Sequence, residues 1–361
     1  MLDRLRRSFP NRAVLARPRV LLAVVAVLAV ILAAVLYAVW PRQGSTLERA
    51  TSLLPKDTLR IAFTDWSGVR AEMDAASTGC AAWPQCKGVD VLDDTELGSS
   101  SVTASMGPAL AKEFGWGPGT LDWEVLGQAR DGQVLIADVG SADLAAIAKR
   151  YEGHGFKAPR KDRLDGAVWK GGPDVLAGVP GLTDGILGNV AFLADEHLLL
   201  SSDAAGELAN AVKAARGEGL SWKLTAEVKE PLSAVGFVDD FACEALSMAT
   251  ADPGAQAAAA RTVEEAGGVS PLTGYLVALG ADRAWTAVFG FESADQARHD
   301  AVSRQALAGA EDPGQMESYP DLFTVSSAER DDRLVVLHGR AAASSYALSE
   351  TTQGPVLLAS C

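Results

Sequence analysis

LRIAFTDW (Leu59–Trp66) and LSAVGFVDD (Leu232–Asp240) are the two stretches from which the organisation of this chain is read. Each alternates apolar and small or polar residues as a strand does and ends on an aromatic followed two residues later by an acid, Phe63 with Asp65 and Phe237 with Asp239. An acid at that point fits the start of a helix, where its side chain accepts from free backbone N–H groups.

The same order of elements follows both openings. After the first, Gln133 to Val139 reads as a strand and Ser141-Ala142-Asp143 opens a helix from Leu144 to Tyr151. Two strands, Asn189 to Leu193 and Leu198 to Ser201, then flank the turn Asp195-Glu196-His197 and lead into a helix at Ser202-Asp203. After the second opening, Trp285 to Phe291 reads as a strand and Ser293-Ala294-Asp295 starts a helix reaching about Ala308. A hairpin of Leu322 to Ser326 and Arg333 to Leu337 follows, with a helix expected from Ala341. The chain is therefore read as a duplication of strand, helices, two strands, helix, hairpin and helix. The fold class expected is α+β, a mostly antiparallel sheet with helices on one face.

Ahead of the duplication, residues 20–40 (VLLAVVAVLAVILAAVLYAVW) form an unbroken apolar run. At 1.5 Å per residue it spans roughly 31 Å, the thickness of a bilayer core. Arg4, Arg6, Arg7, Arg12, Arg17 and Arg19 precede it against Asp3 alone, so the positive-inside rule predicts a cytoplasmic N-terminus. The localisation expected is a single-pass plasma-membrane protein with its body extracytoplasmic. The segments expected are a basic tail 1–19, a transmembrane helix 20–40, a linker 41–57 and two ectodomain repeats, 58–220 and 221–361.

Residues 43–361 carry 25 Lys+Arg against 45 Asp+Glu, a net −20. A body of that charge is repelled by phosphate backbones, which argues against nucleic acid as a partner. The apolar content of 48% excludes a mainly disordered chain. Cys80, Cys86, Cys243 and Cys361 all follow the apolar run, and an even number in an oxidising compartment reads as two disulfides. Four cysteines allow three pairings. Cys80 and Cys86 bracket CAAWPQC, where Pro84 turns the chain, so the expected pairs are Cys80–Cys86 and Cys243–Cys361.

The stretches LLPKDTLRIAFTDW (Leu53–Trp66) and VAFLADEHLLLSSDAAGELANAV (Val190–Val212), together with the single N-terminal apolar run, resemble actinobacterial membrane-anchored extracytoplasmic proteins of unknown function. That resemblance implies an envelope protein and carries over no active site.

Motifs for chemistry are absent. The sequence has no G-x-S-x-G elbow, H-E-x-x-H, phosphate-binding G-x-x-x-x-G-K-[ST] or G-x-G-x-x-G after a strand, and no cofactor or metal site is expected. His154, His197, His299 and His338 read as surface or cap residues. If the repeats pack about a twofold axis, Asp65 and Asp239 would be positioned to share a proton as a carboxylate dyad; helix capping accounts for the same two residues without that assumption.

Two features suggest binding. GGPDVLAGVPGLTDGILG (171–188) holds six glycines and two prolines and is expected to be an extended loop, with Gly172 and Gly181 as its candidate contact points. Trp83, inside the small cysteine loop, is the tryptophan expected to be displayed, while Trp66, Trp123, Trp169 and Trp285 sit in strand-like runs and read as core. The function expected is a non-catalytic binding or scaffold protein of the cell envelope. Its expected partners are the lipid bilayer through 20–40 and another envelope protein or a wall glycan. The alternative is a carboxylate-dependent extracytoplasmic hydrolase acting on a wall component, a class that leaves no readable spacing.

Overall fold

The structure, a computed structural model, describes residues 44–76, 96–158, 164–182 and 184–361, with 74–76 described by backbone alone. Their strands are β1 (Arg60–Thr64), β2 (Trp123–Gln128), β3 (Gln133–Asp138), β4 (Trp169–Lys170), β5 (Asn189–Leu193), β6 (Leu198–Ser202), β7 (Ser233–Val238), β8 (Gly274–Leu279), β9 (Ala284–Gly290), β10 (Glu311–Asp312), β11 (Glu317–Ser318), β12 (Phe323–Asp331) and β13 (Leu334–Ala341). β10 and β11 form a small ribbon, and the remaining eleven make one sheet in the order β12-β13-β9-β8-β7-β1-β2-β3-β6-β5-β4. Every strand pair in the sheet is antiparallel.

The two quoted stretches meet at the centre of this sheet. β1 pairs with β7 from Arg60↔Phe237 to Thr64↔Ser233. Outward from that seam the order is the same on both sides: β1, β2, β3, β6, β5 on one and β7, β8, β9, β13, β12 on the other. The repeats thus share one sheet, and residues Gly44–Cys361 form a single compact unit.

Antiparallel pairing at the seam fixes where the two acids lie. Asp65 N donates to Leu232 O at 2.8 Å, so Asp65 sits beside the start of β7, whereas Asp239 follows its end. At about 3.3 Å per residue the two are roughly 20 Å apart, and they form no dyad. Asp65 instead caps the helix that begins at Trp66.

The helices used below are α1 (Trp66–Ala76), α2 (Leu144–Gly153), α3 (Ala205–Lys213), α4 (Pro253–Glu265) and α5 (Ala294–Leu307). Asp65 Oδ1 accepts from Gly68 N at 2.9 Å and from Ser67 Oγ at 2.7 Å. The two S-A-D steps cap by different residues: Asp143 accepts from Ala145 N and Ala146 N, whereas Ser293 forms a capping box with Gln296. Asp239 makes no such cap and takes a left-handed φ of 52°, a conformation aspartate tolerates.

The sheet's first face buries Trp66, Leu135, Tyr151, Phe237, Tyr275, Trp285 and Phe289 under helices from both halves. The expectation of helices on one face is corrected here, because α3 and a short helix, Thr46–Thr51, cover part of the second face. Leu208, Ala211 and Val212 of α3 and Leu47 and Ala50 of the short helix pack there on Ile61, Val125, Ile136 and Leu200. Strands buried on both sides read as continuous apolar runs, which is why β5 and β6 look as they do.

The transmembrane part of the expected fold class, and the single-pass localisation built on it, are also corrected. Among the described residues no helix is long and apolar enough to cross a membrane, and the expected span 20–40 lies outside them, as do the tail 1–19, Trp83 and the Cys80/Cys86 loop. The class is stated for the described residues as α+β, a large antiparallel sheet with helices. Within the stretch expected to be a linker, residues 46–51 are helical and bury Leu47 and Ala50.

The expected Cys243–Cys361 disulfide is present, with a Cα–Cα separation of 5.7 Å. It ties Cys361 to the short helix Phe241–Ala245 that follows β7.

Candidate functional site

Three glycines on adjacent strands prepare the one large concavity that we single out. Past α3 the chain crosses the second face, and Leu220 N donates to Leu54 O at 2.8 Å. The Trp222 ring then lies on Gly236 of β7, where a Cβ would stand 2.4 Å from it, and Leu224 lies over Gly274 and Gly290. Glycine at such strand positions marks close approach of another segment. Trp222 and Leu224 thereby become buried, at 9% and 4% exposure, and 220–227 forms one wall of a groove.

The other wall is the β12–β13 turn. Phe291 N donates to Arg333 O at 3.0 Å and holds that turn against the end of β9; Asp332 takes a φ of 46° to complete it. The short helix contributes Glu48, Thr51 and Ser52 at one end. The groove has a volume of about 800 Å³ and is open to solvent along one side, within the size range of ligand sites.

Its floor and rim differ in chemistry. Leu220, Trp222, Leu224, Phe291 and Leu334 form an apolar floor; Glu48, Glu227, Asp331 and Asp332 stand around it, with Lys223 and Arg333 between them. Burial pushes the Glu227 carboxyl above its ordinary range, and the charges of Asp331 and Glu329 add to this, opposed by His338 and Lys229.

Four buried carboxylates elsewhere, Glu124, Asp300, Asp312 and Glu96, are each occupied by structural bonds. Glu124 accepts from Trp66 Nε1 at 3.1 Å, Val102 N at 3.0 Å and Thr103 Oγ1. Asp300 takes Ser270 N and Arg304 Nε, while Arg304 also donates to Leu358 O at 2.8 Å and Ser270 O at 3.0 Å. Burial lowers Arg304 to about 10. Asp312 accepts from Tyr319 Oη, Leu357 N and Gly314 N. Glu96 accepts from Leu348 N, Ser349 N and Ser349 Oγ, and burial pushes it up against those bonds. These groups fasten loops and the chain end to the core.

Trp83, Cys80 and Cys86 lie outside the described residues, and the other candidates fall within them. Gly172 and Gly181 take φ of 80° and 82°. The 171–188 segment is not extended: Pro173–Ala177 is helical, Leu176, Val179, Ile186 and Leu187 are buried, and Gly172 N donates to Gly188 O at 2.8 Å. Left-handed backbone accounts for both glycines, and at Gly181 a Cβ would also stand 2.9 Å from Ala109. Trp66, Trp123, Trp169 and Trp285 are core as expected, and so are Trp116 and Trp222. His154 caps the end of α2, His197 sits in the β5–β6 turn at φ 58°, His299 meets Gly267 O at 3.1 Å, and His338 faces out from β13. Among the described residues no group of three or more His, Cys, Asp or Glu is placed to hold a metal.

The groove has no sequence motif, since its walls come from residues 48–52, 220–227, 273, 291 and 331–334. The readable trace of it is the trio of glycines inside otherwise good strands.

No known protein family matches the chain, and no curated protein does. Among solved structures, one described as "Structure of crystal form I of TP0453" is similar, with a TM-score of 0.38 and 6% identity over 82% of this chain and 93% of that one. A likeness that distant carries no argument about fold or function.

Proposed function

We propose that the chain is a non-catalytic binding protein of an oxidising compartment such as the cell envelope, and that it works through the groove on the second face of its sheet. The observation that carries this reading is the contrast between closed and open polar groups. A catalytic acid or base has to present free valence to a substrate, whereas Glu124, Asp300, Asp312 and Glu96 spend theirs on the protein itself. The groove instead combines a largely apolar lining with charged groups at its rim, the make-up of a recognition site. The Cys243–Cys361 disulfide supports the oxidising compartment.

A protein segment is the partner favoured over a wall glycan. Sugars stack on exposed aromatic faces, and the groove's two aromatics, Trp222 and Phe291, are buried.

Ala226 is exposed at the groove wall, so Ala226→Trp fills the entrance without disturbing the core. Crosslinking in intact cells, followed by purification of the chain and mass spectrometry, should yield one recurrent partner with the natural chain and much less of it with Ala226→Trp. Equal recovery with both would refute the groove as the site.

A further inference from the structure

The groove's chemistry also selects the kind of segment it takes. Four carboxylates border it against two cations, and they belong to a body of net −20. A second copy of this chain, nucleic acid or an anionic ligand would meet repulsion there. Between the acids the lining is largely apolar, with Ala226 exposed and Leu334 half-buried above the buried Trp222 and Phe291, a surface that a purely polar cation would leave unfilled. The space between a loop and a β-turn, about 800 Å³, is large enough for several side chains.

Resting on the groove-binding reading above, we propose that the occupant is an extended peptide segment of a partner protein in which lysine or arginine alternates with apolar residues. The apolar side chains seat against Leu334 and Ala226, and the cations face Glu48, Glu227 and Asp331. Charge complementarity of this kind sets partner choice and association rate more than raw affinity.

The test uses the full chain and three fluorescein-labelled octapeptides, LKLKLKLK, LQLQLQLQ and LELELELE, followed by fluorescence anisotropy at low and high salt. The lysine peptide should bind most tightly and weaken as salt screens the rim. The double variant Glu227→Gln/Asp331→Asn, both at exposed or half-buried positions, should weaken the lysine peptide about tenfold and leave the glutamine peptide unchanged. Ala226→Trp should weaken both. Circular dichroism melts establish that each variant is folded.

If the lysine peptide binds the natural chain and the double variant equally, the general acidity of the body holds it and the proposal is overturned. Preference for the glutamine or glutamate peptide overturns it as well. The two levels separate cleanly. If a cellular partner is lost with Ala226→Trp while no peptide shows groove-dependent binding, the peptide inference fails and the binding reading stands. If Ala226→Trp keeps the cellular partner, the reading itself fails.

Discussion

The two halves of the sheet share a strand order and treat its second face in opposite ways. In the first half, Val134 and Ile136 of β3, Leu198 and Leu200 of β6 and Ala191 and Leu193 of β5 turn apolar side chains to that face, and α3 covers them. In the second half, the strands at the same places turn Thr286 of β9, His338 and Arg340 of β13 and Thr324 of β12 outward, where they are half-buried or exposed. The chain after each hairpin differs to match. After β6 it forms α3 on the second face, whereas after β13 it crosses to the first face and buries Ala347, Leu348 and Val356–Ala359 there.

A duplicated topology therefore does not duplicate its surfaces. Redirecting one terminal segment leaves Thr286, His338, Arg340 and Thr324 without a helix over them, while the 220–228 segment covers Leu276, Ala278, Val288 and Val336 on the same face, and the groove opens beside that thinner cover. The redirected segment needs its own fastening. Leu357 N meets Asp312, Leu358 N meets Tyr319 Oη, Leu358 O takes Arg304, and Cys361 is joined to Cys243.

Four measurements would break or sharpen this contrast. The largest effect should come from the Cys243–Cys361 bond, whose residues are 118 apart in sequence. Cys361→Ser should lower the free energy of unfolding by about 5 kcal/mol in the loop-closure account, read from urea titrations. A loss below about 1 kcal/mol would mean that the hydrogen bonds alone hold the segment. Next, Arg304→Leu strands Asp300 in the core and should cost about 3–5 kcal/mol; the same titration reads it, and a near-neutral result would show that water reaches the pair.

The third compares matched faces. Ile136→Thr places a hydroxyl beneath α3 and should cost about 2–3 kcal/mol, whereas Thr286→Val on the bare face should stay within about 0.5 kcal/mol. Equal costs would show that Thr286 is covered after all. The smallest effect is a pH dependence. Glu227 sits above its ordinary range because of burial and then Asp331, with Glu329 adding and His338 and Lys229 opposing. A cation prefers its ionised form, so binding of the lysine peptide should strengthen by about threefold as pH rises through and above the ordinary glutamate range. That gain should shrink in Glu227→Gln, and a gain that survives intact would assign the titration to another group.

Much of this contrast was already written in the strands. The runs NVAFL at 189–193 and LLLSS at 198–202 are apolar on both sides, while LVVLHGRA at 334–341 turns polar along one side, and a strand's period of two converts that difference directly into burial. Asp65, Asp143 and Ser293 were legible as caps, because a cap is a local interaction. The dyad failed because a twofold relation does not by itself bring two strand ends together; β1 and β7 run antiparallel, and that register is a long-range fact. The helix at Thr46–Thr51 was hidden in a short polar stretch whose amphipathic face, Leu47 and Ala50, is too brief to show periodicity. The groove escaped for the same reason as the register. Its residues are brought together by Trp222 settling on Gly236, and Trp222 had no local pattern marking it.

The most direct test of the account is a paired photocrosslinking experiment. A photoreactive amino acid is placed at Ala226, at the groove, and in a separate variant at Asn210, exposed on α3 over the first half. A recurrent protein adduct is expected from position 226 and none from position 210. Adducts from 210 alone, or equal adducts from both, would contradict the claim that the more thinly covered second half is where this protein binds.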